Sequence, residues 1–177
     1  SVVFGIAVDP GGQRRDGDPD WSAGNINDAV AEFVDAHADR LIGFGAVHPF
    51  DPRCLDELER CRVDLRMPGV KLGANYQNFD PLEPRALAVY EVAQRHRMPV
   101  MLHIGTSPVR DAPIRYAHPL LIDEIAMRYP ELRVVMAHLG HPWQVETCVV
   151  IRKHPHVYAD LSANFYRPFS FWEQMVK

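Results

Sequence analysis

The most constraining feature of this sequence is a regular alternation of short apolar runs, typical of strands, with amphipathic stretches typical of helices. The apolar runs begin near residues 2, 41, 69, 99, 132 and 157, so successive runs start 25 to 39 residues apart. Strict alternation implies a parallel sheet with right-handed crossovers. A (β/α)₈ barrel uses about 31 residues per unit, so six units would fill the 177 residues of this chain. The pattern predicts either an open α/β sheet or part of a barrel.

Composition narrows the function classes. The chain is 47% hydrophobic and 24% charged with a net charge of −4, which is typical of one soluble globular domain without a nucleic-acid surface. No apolar run approaches the roughly 20 residues of a membrane helix, and no signal peptide opens the sequence. Three cysteines without metal-type spacing indicate free thiols in a reducing compartment, so we expect a cytoplasmic protein. Neither a GxGxxG nor a P-loop motif is present, which disfavours a nucleotide-binding sheet.

The predicted elements have clear boundaries. The strands are expected at residues 2–8, 41–48, 69–73, 99–104, 132–138 and 157–161. Asn25, Asp51 and Asp80 are predicted to cap the helices that follow the first three strands. A polar loop is expected at 10–23, a helix at 142–153 and the start of another helix at 170–177.

Two predicted strands end alike, as PVMLHIG (99–105) and VVMAHLG (134–140). Side chains alternate along a strand, so Met101 should share a face with His103, and Met136 with His138. Neighbouring strands lie about 5 Å apart, so both imidazoles are predicted to point, in register, into one mouth at the carboxyl end of the sheet, where ligands bind. There an imidazole can bind a divalent metal or move protons. The alternative is a pair of buried histidines bonded to backbone carbonyls.

Other polar residues at strand ends admit several interpretations. Lys71 lies inside a predicted strand, where a lysine is unusual. Three interpretations are open: a carbamylated ligand of a two-metal site, an ammonium that binds an anionic substrate, or a snorkelling side chain at the rim. We favour the rim or substrate interpretation. Asp160 is a ligand, a partner that orients a histidine, or a cap for the next turn. For His48 we favour a structural role.

The loops after the two histidines carry further candidates for substrate binding. Arg110, Arg115 and Tyr116 follow His103 and either clamp a substrate carboxylate or belong to a solvated loop. His141 follows His138 and either lines the site or packs a turn.

Five segments of the sequence resemble the amidohydrolase-related family, a branch of the amidohydrolase superfamily that contains hydrolases and nonoxidative decarboxylases. The segments read GFGAVHPFDP (43–52), GVKLGANYQNFDP (69–81), PVMLHIGTSP (99–108), HPLLIDEIAMRYPELRVVMAHLGHPW (118–143) and HVYADLS (156–162). The resemblance as a whole covers nearly the whole chain. The resemblance implies a distorted (β/α)₈ barrel of TIM type with one catalytic divalent metal, either zinc, which we expect, or manganese. It implies that His103 is the metal ligand of the fifth barrel strand and that His138 is the sixth-strand histidine acting on substrate or metal-bound water.

The same resemblance predicts an incomplete barrel. Members of the family carry a His-x-His or Glu-x-His pair on the first strand and a metal-binding Asp on the eighth, whereas this chain matches strands 2 to 7. We therefore expect residues 1–177 to form one partial barrel domain that lacks part of its metal site, and we expect the fragment alone to be inactive.

Three functions follow from these observations. The first, which we favour, is a metal-dependent hydrolase that acts on a small carboxylated substrate through a metal-activated water. The second is a nonoxidative decarboxylase with the same residues around the metal. The third is a non-catalytic binding or scaffold protein derived from the barrel. A small-molecule substrate is the expected partner, without nucleic acid or membrane, and a homo-oligomer is left open.

Overall fold

A computed structural model describes residues 1–7 and 25–163. Within these residues six strands alternate with five α-helices. The strands are β1 (Val2–Phe4), β2 (Ile42–Ala46), β3 (Gly69–Leu72), β4 (Val100–His103), β5 (Val134–Ala137) and β6 (Val157–Ala159). The helices are α1 (Ile26–Asp35), α2 (Cys54–Val63), α3 (Pro84–Arg95), α4 (Leu120–Arg128) and α5 (Gln144–Lys153). None of these helices is long and apolar enough to cross a membrane.

The six strands form one parallel sheet in the order of the sequence, from β1 to β6. Strands that pair only with their sequence neighbours are typical of a TIM barrel. The sheet does not close on itself within the described residues, because no pairing joins β1 to β6. The predicted alternation and the parallel sheet are therefore confirmed, as an open arc of a barrel.

The two faces of the sheet differ in burial. One row of paired residues packs against the helices and is at most 2% exposed: Val70, Val100, Val134 and Val157. The next row points to the opposite, inner face of the arc and consists of Ala46, Lys71, Met101, Val135 and Tyr158. Tyr158 is 48% exposed because the arc leaves this inner face open. The inner face is the one that would line a barrel mouth.

Three helices begin later than predicted, including α5, which starts at Gln144 and not at residue 142. Asn25 caps α1 through a side-chain bond to the backbone N–H of Asn27, as predicted. Asp51 and Asp80 also accept backbone N–H groups, at 2.8 and 2.9 Å, but each closes only a turn. The helices then start at Cys54 and Pro84. Proline favours the first helical turn, which explains the later start at Pro84. The predicted 10–23 loop and 170–177 helix lie outside the described residues.

A buried glutamine joins the carboxyl ends of three strands. Gln77 donates its amide N–H groups to the carbonyls of Ala7 and Val47, both at 2.9 Å, and its Oε1 accepts the N–H of Gly73 at 2.8 Å. Its own carbonyl accepts from His48 Nε2 at 2.9 Å. The other ring nitrogen of His48 accepts a backbone N–H at 3.1 Å, so the structural role predicted for His48 is supported. This network holds together the segments that follow β1, β2 and β3.

Candidate active site

His103 is the last residue of β4 and is 5% exposed. It lies on the inner face, two residues beyond Met101. Its Nε2 lies 3.1 Å from the carbonyl of Thr106. A carbonyl only accepts, so Nε2 carries the proton and Nδ1 carries the lone pair. The ring of Tyr76 packs edge-to-face against this imidazole, with the centroids 4.7 Å apart.

His138 reaches the same site by a different route from the one predicted. The register pairs His103 with Ala137 and Leu102 with Met136, so Met136 lies on the helix-facing side of the sheet and is fully buried. Simple alternation would therefore send His138 away from His103. Instead, β5 ends at Ala137, and His138 adopts a left-handed backbone with φ 64°. The predicted register between the two histidines is therefore wrong by one residue. The left-handed turn at His138 brings its ring back to the inner face.

The two imidazole rings nevertheless lie close together, as the matching strand ends predicted. The imidazole centroids of His103 and His138 lie 4.9 Å apart, with an angle of 62° between the ring planes. Neither ring is packed between the sheet and a helix. Two imidazoles this close can act on one ligand or one ion, which is the geometry that the matching strand ends indicated.

Asp160 follows β6 and organises the backbone around His138. Its Oδ1 accepts the N–H of His138 at 3.0 Å and the N–H of Ser162 at 2.8 Å, and it also accepts the hydroxyl of Ser162. Its carbonyl accepts the N–H of Leu139 at 2.9 Å. Burial raises the pKa of Asp160, but these hydrogen bonds outweigh burial and hold the pKa below its usual range. Of the three interpretations of Asp160, the structure shows the cap for the next turn, through the N–H of Ser162, and this carboxylate also holds the backbone of His138.

Lys71 lies on the inner face of β3 and is only 5% exposed. Its ammonium nitrogen donates to the carbonyl of Leu72 at 3.0 Å and lies 5.5 Å from the ring centroid of Phe4. Burial lowers the pKa of Lys71 to about 7, against a smaller opposing effect of the Asp160 carboxylate. The side chain is therefore buried in the mouth and does not snorkel at the rim.

The surroundings of the two histidines lower the pKa of both and so favour their neutral forms. Burial, with the nearby Lys71 and His138, lowers the pKa of His103 to about 4. Burial also lowers the pKa of His138, with Asp160 opposing that effect. Both imidazoles are then neutral at pH 7, which leaves one lone pair on each ring for an ion or a proton.

The predicted loop residues Arg115, Tyr116 and His141 have partners of their own. Arg115 and Arg110 are exposed, and the guanidinium of Arg115 bonds the hydroxyl of Tyr116 at 3.1 Å and stacks on its ring at 4.4 Å. The His141 ring lies against Gln144, while its carbonyl accepts the N–H of Thr106 at 2.7 Å. In the described part of the chain, none of these four side chains contacts His103.

Three residues of the site escaped the sequence reasoning. Tyr76 contacts His103 and Ser162 contacts His138. Gln77 bonds the segments that follow the first strands of the sheet. They follow strands rather than end them, so no strand-end pattern could indicate them. The segment GANYQNFD, with three amides and two aromatics directly after a strand, was the only sequence signal for Tyr76 and Gln77.

The chain matches the Amidohydrolase family model over residues 4–175. The chain belongs to the amidohydrolase family. It is also 26% identical, over 132 residues, to a 2-amino-3-carboxymuconate-6-semialdehyde decarboxylase of Dictyostelium discoideum, which covers 65% of this chain and 36% of the relative. The predicted family resemblance is confirmed.

Solved structures agree on the fold. An uncharacterised TIM-barrel protein of Bordetella bronchiseptica has a TM-score of 0.72 at 21% identity, covering 84% of this chain and 53% of that protein. A dihydroxybenzoic acid decarboxylase of Polaromonas sp. JS666, with bound manganese and the inhibitor 2-nitroresorcinol, has a TM-score of 0.61 at 18% identity, covering 85% and 59%. This amidohydrolase-family chain thus spans about a third of its curated relative and just over half of these barrels.

Proposed function

We propose that the full protein is a nonoxidative decarboxylase that acts on a small aromatic or unsaturated carboxylic acid with the help of one divalent metal. The observation that carries the proposal is the pair of neutral imidazoles, 4.9 Å apart at the carboxyl end of the sheet and close to a buried lysine. The likeness to decarboxylases of carboxymuconate semialdehyde and dihydroxybenzoic acid supports this reaction class and gives it precedence over hydrolysis.

The described residues fit part of a metal site. His103 offers a lone pair on Nδ1, and its low pKa keeps that nitrogen unprotonated at neutral pH. Within residues 1–7 and 25–163 no three His, Cys, Asp or Glu side chains are grouped closely enough to hold an ion. A complete site would need further donors outside these residues. Manganese, which the Polaromonas enzyme binds, and zinc are the candidate ions, and when bound such an ion would polarise the substrate oxygens.

His138 and Lys71 have distinct roles in this proposal. Loss of CO₂ breaks the bond from the carboxyl carbon and leaves an electron pair on the substrate carbon, which takes up a proton. His138, which is neutral at rest, takes up a proton from water at its unprotonated ring nitrogen and passes it to that carbon, since its imidazole lies beside His103 and Asp160 holds its backbone. Lys71 attracts the substrate carboxylate into the mouth, because its amine is buried on the same face and is partly protonated near pH 7.

The second candidate is a hydrolase of the same family, and the neutral state of His138 favours it. A neutral imidazole beside the ion site can take a proton from an attacking water at its unprotonated nitrogen. Both reactions use the same residues, so the choice rests on the relatives.

One experiment separates the candidates. The full protein, loaded with manganese or zinc, is offered hydroxylated aromatic acids and unsaturated dicarboxylic acids, and CO₂ release is followed; lactones and amides of similar size are offered in parallel. We expect CO₂ release without hydrolysis. Hydrolysis alone would support the second candidate, and inactivity of the metal-loaded protein on both sets would favour a non-catalytic binding protein.

A further inference from the structure

The hydrogen bonds of the His138 ring determine which of its nitrogens is basic. Its Nδ1 lies 2.8 Å from the hydroxyl oxygen of Ser162 and 3.3 Å from the backbone carbonyl of the same residue. The carbonyl has no hydrogen to give, so an Nδ1 that bonds to it must be the donor. This contact alone favours the tautomer with the proton on Nδ1.

The hydroxyl of Ser162 leads to the same conclusion independently. A serine hydroxyl has one hydrogen, and an ionised carboxylate only accepts. The pKa of Asp160 lies below its usual range, so this carboxylate is ionised at neutral pH and takes the Ser162 hydrogen on its Oδ1. The Ser162 oxygen is then left as an acceptor toward His138, and Nδ1 must donate to it. Reversing the hydroxyl would set two lone pairs against each other on the Asp160 side.

The chain Asp160–Ser162–His138 is also anchored at its backbone. The N–H groups of His138 and Ser162 both bond to the same Oδ1 of Asp160. The carboxylate therefore holds the backbone that carries the imidazole together with the hydroxyl that the imidazole contacts. This arrangement restricts both the position and the rotation of the His138 ring.

We infer that Ser162 is a positioning residue for His138: its hydroxyl, held by Asp160, keeps the ring proton on Nδ1 and leaves the lone pair on Nε2. The role of His138 in proton transfer rests on the proposed function, whereas the tautomer does not. Nε2 is then the nitrogen that exchanges a proton with the substrate or with water. Without the Ser162 hydroxyl, the proton redistributes between the two nitrogens and a fraction of the molecules presents the wrong one.

The test reads the tautomer directly. The intact, metal-free protein is labelled with ¹⁵N in histidine, and two-bond ¹⁵N–¹H correlations of the ring are recorded at pH 8; the His138 signals are assigned by their loss in His138→Gln. We expect a protonated Nδ1 and an unprotonated Nε2 in the wild type and in Ser162→Thr, which keeps the γ-hydroxyl. Ser162→Ala should lose part of the Nδ1–H signal and gain an Nε2–H population.

Two further variants make the result decisive. Ser162→Cys keeps the size of the side chain but offers a poor acceptor, so it should behave like Ser162→Ala even if the alanine variant folds poorly. Ser107→Ala removes a hydroxyl that accepts the N–H of Val109 at 3.0 Å in another loop, and it should leave the His138 signals unchanged. A wild type protonated on Nε2, or Ala and Cys variants with the wild-type pattern, would overturn the inference.

Activity provides a second readout that separates this inference from the proposed function. In an active enzyme, Ser162→Ala should lower kcat by about threefold to tenfold, the range of one net hydrogen bond, with KM changed by less than about twofold, and Ser162→Thr should restore kcat. Nδ1–H in an inactive protein would defeat the proposed function alone. Nε2–H in an active enzyme would defeat only the role of Ser162.

Discussion

The imidazole rings of His103 and His138 lie 4.9 Å apart although their positions on β4 and β5 are offset by one residue. His103 pairs with Ala137, and a left-handed turn at the next residue returns the His138 ring to the inner face. The pair is therefore built from one regular strand end and one irregular one. Backbone torsion at His138 is as much a part of the site as the imidazole itself.

The first prediction distinguishes the two histidines by metal content. In the intact protein, His103→Ala should lower both bound metal and activity, because a ligand contributes coordination energy directly. His138→Ala should keep most of the metal and lower turnover by roughly 10²–10⁴-fold, the usual contribution of an acid–base group. Elemental analysis beside steady-state kinetics measures both effects.

The control for this prediction is His154→Ala, since the His154 ring bonds Asp123 of α4 at 2.6 Å and lies at the end of α5, not at the strand ends. It should change metal content little. Equal metal loss in the His103 and His138 variants would make His138 a ligand as well, and full metal with full activity in both would remove the histidines from catalysis.

The sequence predicted the architecture well because strand–helix alternation depends on local patterning. The parallel order and the capping by Asn25 follow from periodicity and local sequence, and the common direction of parallel strands brings the ends that carry His103 and His138 to the same edge of the sheet. The register could not be predicted in the same way. The motif PVMLHIG matches VVMAHLG letter for letter at Met, His and Gly, yet the ladder pairs Met101 with Val135.

The partners of the histidines were also beyond local patterning. Ser162 comes 24 residues after His138 and reaches it only because β6 lies beside β5 and Asp160 turns the chain. Tyr76 meets His103 across two neighbouring strands in the same way. Arg110 and Arg115, in contrast, were placed at the site by their position in the loop. The structure instead leaves them exposed, with Arg115 on Tyr116.

The second prediction concerns Gly105, the last residue of the motif PVMLHIG. Gly105 has φ +102°, and a Cβ there would stand 2.3 Å from the carbonyl oxygen of His141. Gly105→Ala should therefore cost about 3 kcal/mol in the free energy of unfolding, through strain and displaced backbone. Gly43→Ala is the matched control, because its Cβ would meet only methyl groups at 3.4 to 3.7 Å, and it should stay within about 1 kcal/mol. Urea denaturation of both variants measures the difference, and equal costs would refute the prediction.

The third prediction concerns Gln77, the buried glutamine that donates to the carbonyls of Ala7 and Val47. Gln77→Glu replaces an amide that donates to two carbonyls with a carboxylate that can only accept, so two buried carbonyls lose their donor and face a like charge. We expect a loss of about 2–4 kcal/mol in the free energy of unfolding. Asn78→Asp makes the corresponding change at the next, exposed position and should cost less than about 1 kcal/mol. Chemical denaturation compares the two, and the idea fails if Gln77→Glu is as mild as its neighbour.

The fourth prediction is a pH dependence that originates at Lys71. The unfolded lysine has a pKa of about 10.4, whereas burial lowers the folded value to about 7. Between these values the unfolded chain binds a proton that the folded chain does not, so Lys71 makes the free energy of unfolding rise with pH by up to about 1.4 kcal/mol per unit. Below pH 7 its destabilising effect is complete, and above about pH 10.5 the effect is absent.

Lys71→Met keeps most of the length of the side chain and removes the amine. We expect the variant to be more stable than the wild type by about 2–4 kcal/mol at pH 7, with the difference shrinking toward zero as the pH approaches 10.5. Lys153→Met, where the half-exposed amine bonds Asp123 at 2.9 Å, should instead lower stability by less than about 1 kcal/mol, because it removes a surface ion pair. Urea midpoints at pH 7, 8.5 and 10 give the comparison. A Lys71→Met variant that is no more stable than the wild type at pH 7, or whose advantage does not change with pH, would show that the amine is charged in the folded mouth.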